Sequence, residues 1–552
     1  MEEQEQGKGG KGINRREFFI GAAGFASVAV MGASQLAACA PKDQASQADN
    51  TTASTGTSGS VDWLGSAPEI ADADISEYLE TDVVIAGAGV AGCTAGFAAT
   101  ENGASVILLE KGDKARRGGG VHAAVNTKIQ ASNGIHFSPE DIDAIVKREI
   151  MFTNMHAEES LMRVWANESG AILDKIIALV DKSGIESRLN TFPVAVYDQE
   201  AEEYFCEGRW PLGHAVGPGD ENSPEIDALT NAITNAGGTF LFSTPAVKLM
   251  QDASGAVTGI YGQKDDGTYV QVTAKKGVIV TTGEYANNPA MVDEFCPYLT
   301  GLNMPSFYTP PNNTGDGHKM MMWAGAVMQR APHAPMMANL FPIPQPAPFL
   351  LVNNKGERFE NEANSNFVSF NAVGHQPGLE AFQIFDSTWA DEANSLKVMT
   401  WQNLYVVDDT TKKSVEDQCE TADTLEELAD KLGIPKDTFV ATVNRRNQLA
   451  DNGHDDDFGV PLNRLRATKV AVPPFYGCKN QLMGVGVILG GVWVNTKLQV
   501  LNDKGDPIPG LYAAGNTAGR RFGASYQQEI CGLSNGLADC HGYVAGRTAA
   551  TS

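Results

Sequence analysis

Apolar runs and helically spaced apolar positions alternate along most of this chain, and their order predicts an α/β fold. Val83-Val84-Ile85-Ala86 is a short, partly β-branched apolar run of the kind that forms a buried parallel strand. Gly87-Ala88-Gly89-Val90-Ala91-Gly92 follows, then a helical segment to about Asn102, which Gly103 ends. A second apolar run, Val106 to Leu109, closes a strand–turn–helix–strand unit with Glu110 at its end. Residues 139 to 183 carry apolar positions at helical spacing, with Pro139 near the start. Strands and turns are predicted at Thr239-Phe240-Leu241-Phe242, at Ala256 to Tyr261, and at Gly277-Val278-Ile279-Val280-Thr281-Thr282-Gly283.

The texture changes between about 326 and 486. Pro332 to Pro348 is proline-rich, Asn353 to Gly356 reads as a turn between two strands, and Leu425 to Leu432 and Lys436 to Ala450 read as helices. This region reads as an inserted second domain. The earlier pattern then returns in Gly510-Leu511-Tyr512-Ala513-Ala514-Gly515-Asn516 and a helix from Ser534 to Ala549.

Ahead of the first strand the pattern is different. Paired arginines in Asn14-Arg15-Arg16-Glu17-Phe18-Phe19 precede an Ala/Gly-rich apolar stretch to about Ala33, too short and too weakly apolar for a good membrane span. Residues 1–39 therefore read as a twin-arginine export signal. Leu36-Ala37-Ala38-Cys39 resembles a bacterial lipobox, which would make Cys39 a lipidated first residue; the alternative is ordinary cleavage beside small residues. Residues 40–78, rich in Ser, Thr, Ala, Gly, Asp and Gln, read as a flexible linker. The expected location is extracytoplasmic, with any membrane attachment made through a lipid anchor.

Composition narrows the chemistry. A chain of 552 residues with 42% hydrophobic content can bury an ample core. A formal charge of −26 argues against a nucleic-acid partner. The eight cysteines form no CxxC or CxxCH, so no c-type haem, compact iron–sulfur or zinc motif is present and no metal site is expected.

The glycine-rich turn carries the sharpest chemical signal. Gly87 allows a tight turn, Gly89 lets backbone approach a pyrophosphate, and Gly92 lets the helix pack against the strand, leaving the helix N-terminus to hold phosphate charge. Glu110 lies about 20 positions on, where an acid accepts from ribose hydroxyls. Gly118, Gly119 and Gly120 offer a second close backbone approach, and Thr314-Gly315-Asp316-Gly317 sets another acid on a glycine-flanked loop.

These motifs, with Gly356-Glu357-Arg358-Phe359-Glu360-Asn361-Glu362 and Ile508-Pro509-Gly510-Leu511-Tyr512-Ala513-Ala514-Gly515, occur in the order found in the flavoprotein subunits of fumarate reductases and their soluble relatives. The resemblance covers roughly 80 to 550. It implies a Rossmann-like FAD-binding domain (79–325 and 487–552) interrupted by an α+β capping domain (326–486), with the active site between them. Carried over by motif, the FAD contacts fall on Gly87, Gly89, Ala91, Gly92, Glu110, Lys111, Gly118, Gly119, Gly120, Val121, Val247, Asp316, Asn516, Asn535 and Gly536. Members with covalent flavin carry a histidine where Gly120 stands, and His122 is out of register, so the FAD is expected to be non-covalent.

The departures from that family are chemical. Asn366 stands where the family's proton-donating arginine would be, Val487 where a histidine grips one substrate carboxylate, and Tyr526 where an arginine grips the other. A dicarboxylate stripped of water needs such partners, so fumarate is not the expected substrate. Gly523-Ala524-Ser525-Tyr526 is instead similar to the C-terminal part of 3-ketosteroid dehydrogenases, where a tyrosine polarises a carbonyl. The resulting expectation is reduction of an activated C=C bond, an enone or enoate. Tyr526 would stabilise the oxygen, Arg521 or His333 would supply the proton, and Arg521 could instead bind a substrate carboxylate. A buried packing role for Tyr526, a loop role for His333 and a surface pair at Arg520 and Arg521 are the alternatives. Electrons would come from an external cytochrome or FMN protein. The oxidative direction on a ketosteroid-like substrate, or a non-catalytic flavin-binding electron carrier, are the other readings.

Overall fold

In the computed structural model, five parallel strands end along one edge of the main sheet, and this edge organises the chain. The structure describes residues 62–116, 120–189, 197–198, 203–204, 210–217, 224–299, 312–344, 347–364, 366–397, 405–526 and 530–552. The export signal with Cys39, most of the linker, and Gly118 and Gly119 lie outside the described residues.

Strand β1 (Ile75–Ala86) leads into helix α1 (Val90–Glu101), which returns to strand β2 (Val106–Leu109). Strand β3 (Thr239–Leu241) extends the parallel ladder beyond β2, and β4 (Tyr269–Val280) flanks β1 on its other side. Strand β5 (Pro507–Ala513) pairs in parallel with β4, so the C-terminal segment completes the sheet that the N-terminal segment began. Val83, Val84, Ile85 and Ala86 are all fully buried, as expected of a strand covered on both faces. The last helix, α2 (Leu533–Thr551), packs on α1 and contributes fourteen buried residues.

The contact between the two helices depends on missing side chains. A Cβ built on Gly542 would lie 2.4 Å from the Ala91 carbonyl oxygen, and one on Gly546 would lie 2.1 Å from that of Ala95. The predicted helix 534–549 therefore forms, one residue longer at its start and two at its end, and its glycines set the spacing.

Residues 350–479 carry a separate four-stranded antiparallel sheet, ordered Leu350–Asn353, Ala381–Asp386, Phe475–Lys479, Glu420–Ala422. One apolar cluster includes Leu350, Ile384, Leu428 and Phe439; another includes Phe349, Phe385, Trp389 and Tyr476. A ribbon of Ala334–Leu340 and Gln481–Leu489 leads into and out of this segment. Cys419 and Cys478 form a disulfide within it, a pairing that the cysteine spacing did not reveal.

Three readings from the pattern need correction. Residues 139–183 form two helices, Pro139–Phe152 and Glu159–Asp181, separated by a turn in which Asn154 and Met155 adopt positive φ. The chain after the Asn353–Gly356 turn contributes one bridge, Val352 to Arg358, rather than a strand, and the Arg358 side chain pairs with the carboxylates of Glu362 and Asp455. A further strand, Ala246–Gln251, pairs with Val257–Gln263 and was not anticipated. Its sequence, Ala-Val-Lys-Leu-Met-Gln, alternates too weakly to stand out.

Replacing Gly546 by alanine is expected to force α2 off α1 at a cost of about 1–3 kcal/mol, the usual range for overpacking. Denaturant unfolding of the purified protein measures it, and an unchanged midpoint would mean that the helices separate freely.

Candidate active site

The C-terminal ends of β1, β2, β4 and β5 open into four loops at one edge of the sheet, the position where open α/β sheets bind ligands. The loop after β1 turns at Gly87, whose φ is +100°. A Cβ on Gly87 would meet the Thr281 carbonyl oxygen at 2.5 Å, and one on Gly92 would meet the Gly87 carbonyl oxygen at 1.9 Å. At Gly89, by contrast, the nearest atom would be 3.8 Å away. Two glycines are thus locked by packing, while the third, at the N-cap of α1, presents open backbone. No side chain caps that helix end.

Glu110, at the end of β2, accepts from the Ala88 N–H through Oε2 (2.8 Å) and from the Gly112 N–H through Oε1 (2.8 Å). It holds the turn while each oxygen keeps a lone pair. Lys111 Nζ pairs with Asp316 at 2.9 Å and donates to Thr314 Oγ1 at 3.0 Å, so two candidates distant in sequence meet. Ser243 and Thr244 bond the backbone of Gly112 and Glu110, which brings the start of the strand carrying Val247 alongside. Asn535 Nδ2 donates to the Val121 carbonyl at 3.1 Å. A Cβ on Gly536 would lie 2.0 Å from the Ala123 oxygen, so Gly536 lets α2 approach that segment.

The loops after β4 and β5 build the other end of the site. Asn516 Oδ1 accepts from Arg521 Nη2 (3.0 Å) and from Ser534 Oγ (3.3 Å). Arg521 is 2% exposed; Nε donates to the Ala518 carbonyl (3.0 Å), and Nη1 has no partner among the described residues. Burial pulls its guanidinium down to about 9, opposed by the neighbouring Tyr526 oxygen. Tyr526 is buried, edge-on to Phe522 at 5.1 Å. Its loop is tied down on several sides. Gln329 donates from Nε2 to the Gly523 carbonyl (3.1 Å) and accepts the Arg520 N–H at Oε1 (2.5 Å). Ser525 Oγ donates to the Phe152 carbonyl (2.8 Å), and Arg520 pairs with Glu158.

The family model described as the FAD binding domain matches residues 82–533. The chain belongs to that family. It is accordingly an FAD-dependent oxidoreductase. It is 29% identical over 509 residues to a vinyl phenol reductase of Lactiplantibacillus plantarum, covering 86% of this chain and 97% of that protein. It is 27% identical over 495 residues to a fumarate reductase (cytochrome) of Shewanella frigidimarina, covering 84% and 75% respectively. Among solved structures, a 3-ketosteroid Δ4-(5α)-dehydrogenase of Rhodococcus jostii has the same fold, with a TM-score of 0.64 and 22% identity, over 88% of this chain and 99% of that one.

The residues present fit an FAD. The open backbone at Gly89 and the uncapped start of α1 suit a pyrophosphate, and the lone pairs left on Glu110 suit ribose hydroxyls.

His333 requires a correction. It is fully buried and stacked on Phe295 at 4.6 Å; Nε2 donates to the Gln329 carbonyl (2.9 Å) and Nδ1 accepts from the Tyr285 hydroxyl (2.5 Å). Burial depresses it to about 4, so it is a neutral imidazole with both nitrogens engaged, unsuited to direct proton donation. Arg521 is likewise not a surface residue; only Arg520 makes the outward pair.

Two residues escaped the sequence reading. Gln329 carried no signal. Glu284 did: a carboxylate directly after the apolar strand end Thr281-Thr282-Gly283. Its Oε2 accepts from the Ala286 (2.6 Å) and Ile488 (3.1 Å) N–H groups, and Oε1 from Asn313, so it joins the β4 loop to the strand carrying Val487.

Burial pushes Glu284 up to about 7. An unfolded glutamate loses its proton near about 4.3, so from there to about pH 7 the folded state holds a proton that the unfolded chain has released. This contribution to stability is fully present below the lower value and is lost as pH rises through the upper one. Glu284→Gln keeps the Oε2 acceptor and removes the titration. Wild type minus variant stability should therefore fall between pH 5 and pH 7 and stay level above. Denaturant melts at these pH values check it; a flat difference would show that Glu284 is charged throughout.

Proposed function

We propose that this protein reduces an activated C=C bond, an enone or an enoate rather than fumarate, and that residues 326–486 act as the cap over the site. The observation that carries this reading is a tyrosine, Tyr526, held beside a single buried arginine in a loop where fumarate reductases place a carboxylate-gripping arginine. The names of the two curated relatives, a vinyl phenol reductase and a fumarate reductase, support the reaction class.

A bound FAD would supply the hydride chemistry that reduction of a C=C bond requires. The chain's task is then to accommodate the charge that develops on the conjugated oxygen. Tyr526 donates its O–H to that oxygen, and Arg521 adds positive charge nearby; in a site shut off from water, both act more strongly than they would in solvent. Glu284, Gln329 and Ser525 hold the surrounding loops and need not touch the substrate. His333 serves by fixing Tyr285 and the Gln329 backbone. Val487, packed in the ribbon opposite Met336, offers no charge to a second carboxylate.

We further propose export by the twin-arginine route, lipidation at Cys39, non-covalent FAD, and reduction by an external cytochrome or FMN protein in anaerobic respiration. The paired arginines, the lipobox-like Leu36 to Cys39, Gly120 at the covalent-attachment position and the lack of CxxCH support these points.

Tyr526→Phe is expected to lower kcat/KM by about 10²–10³, the range for loss of one oxyanion donor, with fumarate inert for both proteins. Anaerobic reoxidation of reduced enzyme against a panel of enones and enoates measures it. Full activity in the variant, or rapid turnover of fumarate, would overturn the reading.

A further inference from the structure

The buried arginines of this protein are treated in different ways. Arg358 carries two bidentate partners, Glu362 and Asp455, at 2.7–3.0 Å. Arg446 lies 3.6 Å from Glu362 and donates to the Thr468 and Pro348 carbonyls. Arg521 is as deeply buried, yet among the described residues its acceptors are two neutral oxygens and no carboxylate pairs with it. Its Nη1 is sealed from solvent and meets no acceptor among the described residues. Its charge is felt nearby: burial and the proximity of Arg521 together depress His541 to about 3.

A buried cation without a counter-charge is costly, and proteins retain one where a ligand supplies the anion. The guanidinium fork suits a carboxylate, and the Tyr526 hydroxyl beside it adds a neutral donor. The supply of charge is also limited. Arg521 offers one cation, and Val487 offers none where a second carboxylate would need it. A dianion would leave one carboxylate unpaired; a neutral ketone would leave Arg521 unpaired.

We propose that Arg521 and Tyr526 together accept one anionic oxygen terminus conjugated to the substrate's double bond, so that the preferred substrate is a monocarboxylic 2-enoate rather than a neutral enone or a dicarboxylate. This rests on the reading of the site as a C=C reductase. The same anionic chemistry could come from the pyrimidine end of the flavin, and the experiment separates the two sources.

Oxidised holoenzyme, which cannot turn over, is titrated anaerobically with cinnamate, with its methyl ketone counterpart 4-phenyl-3-buten-2-one, and with fumarate, following flavin absorbance and Tm. Cinnamate should bind at least about tenfold more tightly than the ketone, and fumarate should not bind. Arg521→Met should abolish the preference and melt no lower than wild type without ligand, since a buried charge has been removed. Arg521→Lys, which keeps the charge, should retain part of the preference and guards against a misfolded methionine variant. Equal binding of enoate and ketone, no binding of cinnamate, or an Arg521→Met protein that still prefers cinnamate would overturn the proposal. A shift in flavin midpoint potential in Arg521→Met, with the preference intact, would assign the anion to the flavin and overturn it as well. Turnover of the ketone without any enoate preference would refute the monoanion while leaving the reductase reading in place. Tight, Arg521-dependent enoate binding with no C=C turnover would do the reverse.

Discussion

Three pieces of backbone meet at Gly87, Gly92 and Thr281 with no room for a side chain on either glycine. Thr281 Oγ1, 2.9 Å from both the Ala86 and the Gly87 carbonyl oxygens, donates into the gap that the glycines leave. This contact fixes the start of α1 against the ends of β1 and β4. Once it is made, the parallel register of β2 and β5 brings every remaining loop to the same edge. The position of Arg521 and Tyr526, more than 400 residues further along the chain, follows from β5 taking its place beside β4. The site is therefore a consequence of sheet closure rather than of local motifs.

A second constraint is electrostatic. In the segment 350–479, the guanidinium groups of Arg358 and Arg446 are buried together with the carboxylates of Glu362 and Asp455. At the sheet edge the two are kept apart. Glu284 is held by N–H donors alone and Arg521 by neutral acceptors alone. Pairing Arg521 with Glu284 would leave a bound anion nothing to neutralise. Their separation stores an unsatisfied demand at the place where chemistry is proposed, at a cost that the well-packed sheet can absorb.

The pattern of apolar residues carried the strand–turn–helix–strand unit and the last helix, because β-branched runs and helical spacing report burial directly. The roles of Gly87 and Gly92 were also legible, since tight contact leaves a glycine as its only trace. What the sequence withheld was orientation. Arg520 and Arg521 are adjacent and chemically identical; the positive φ of 61° at Arg520 turns one toward Glu158 and the other inward. His333 looked like a loop histidine or a catalyst, and only the Tyr285 and Gln329 contacts settle its protonation. Glu284 passed unremarked because an acid after a strand end is ordinary until three N–H groups converge on it.

On the proposed reading, Tyr526 in place of an arginine does more than remove a charge. Two arginines and a histidine discriminate by total charge, accepting a dianion and rejecting what carries less. One arginine beside one phenol discriminates by how charge is distributed over a single terminus, because the phenol donates one hydrogen bond and cannot neutralise. On the proposed reading, a carboxylate would present two equivalent oxygens to such a pair, and the charge added on reduction of the double bond would spread onto both. On that reading the pair would strengthen its grip in step with the reaction, which is the condition for lowering a barrier rather than merely binding the reactant. Anchoring by Gln329 and Ser525 matters for the same reason: a loop free to follow the ligand would relax around the ground state and lose the difference.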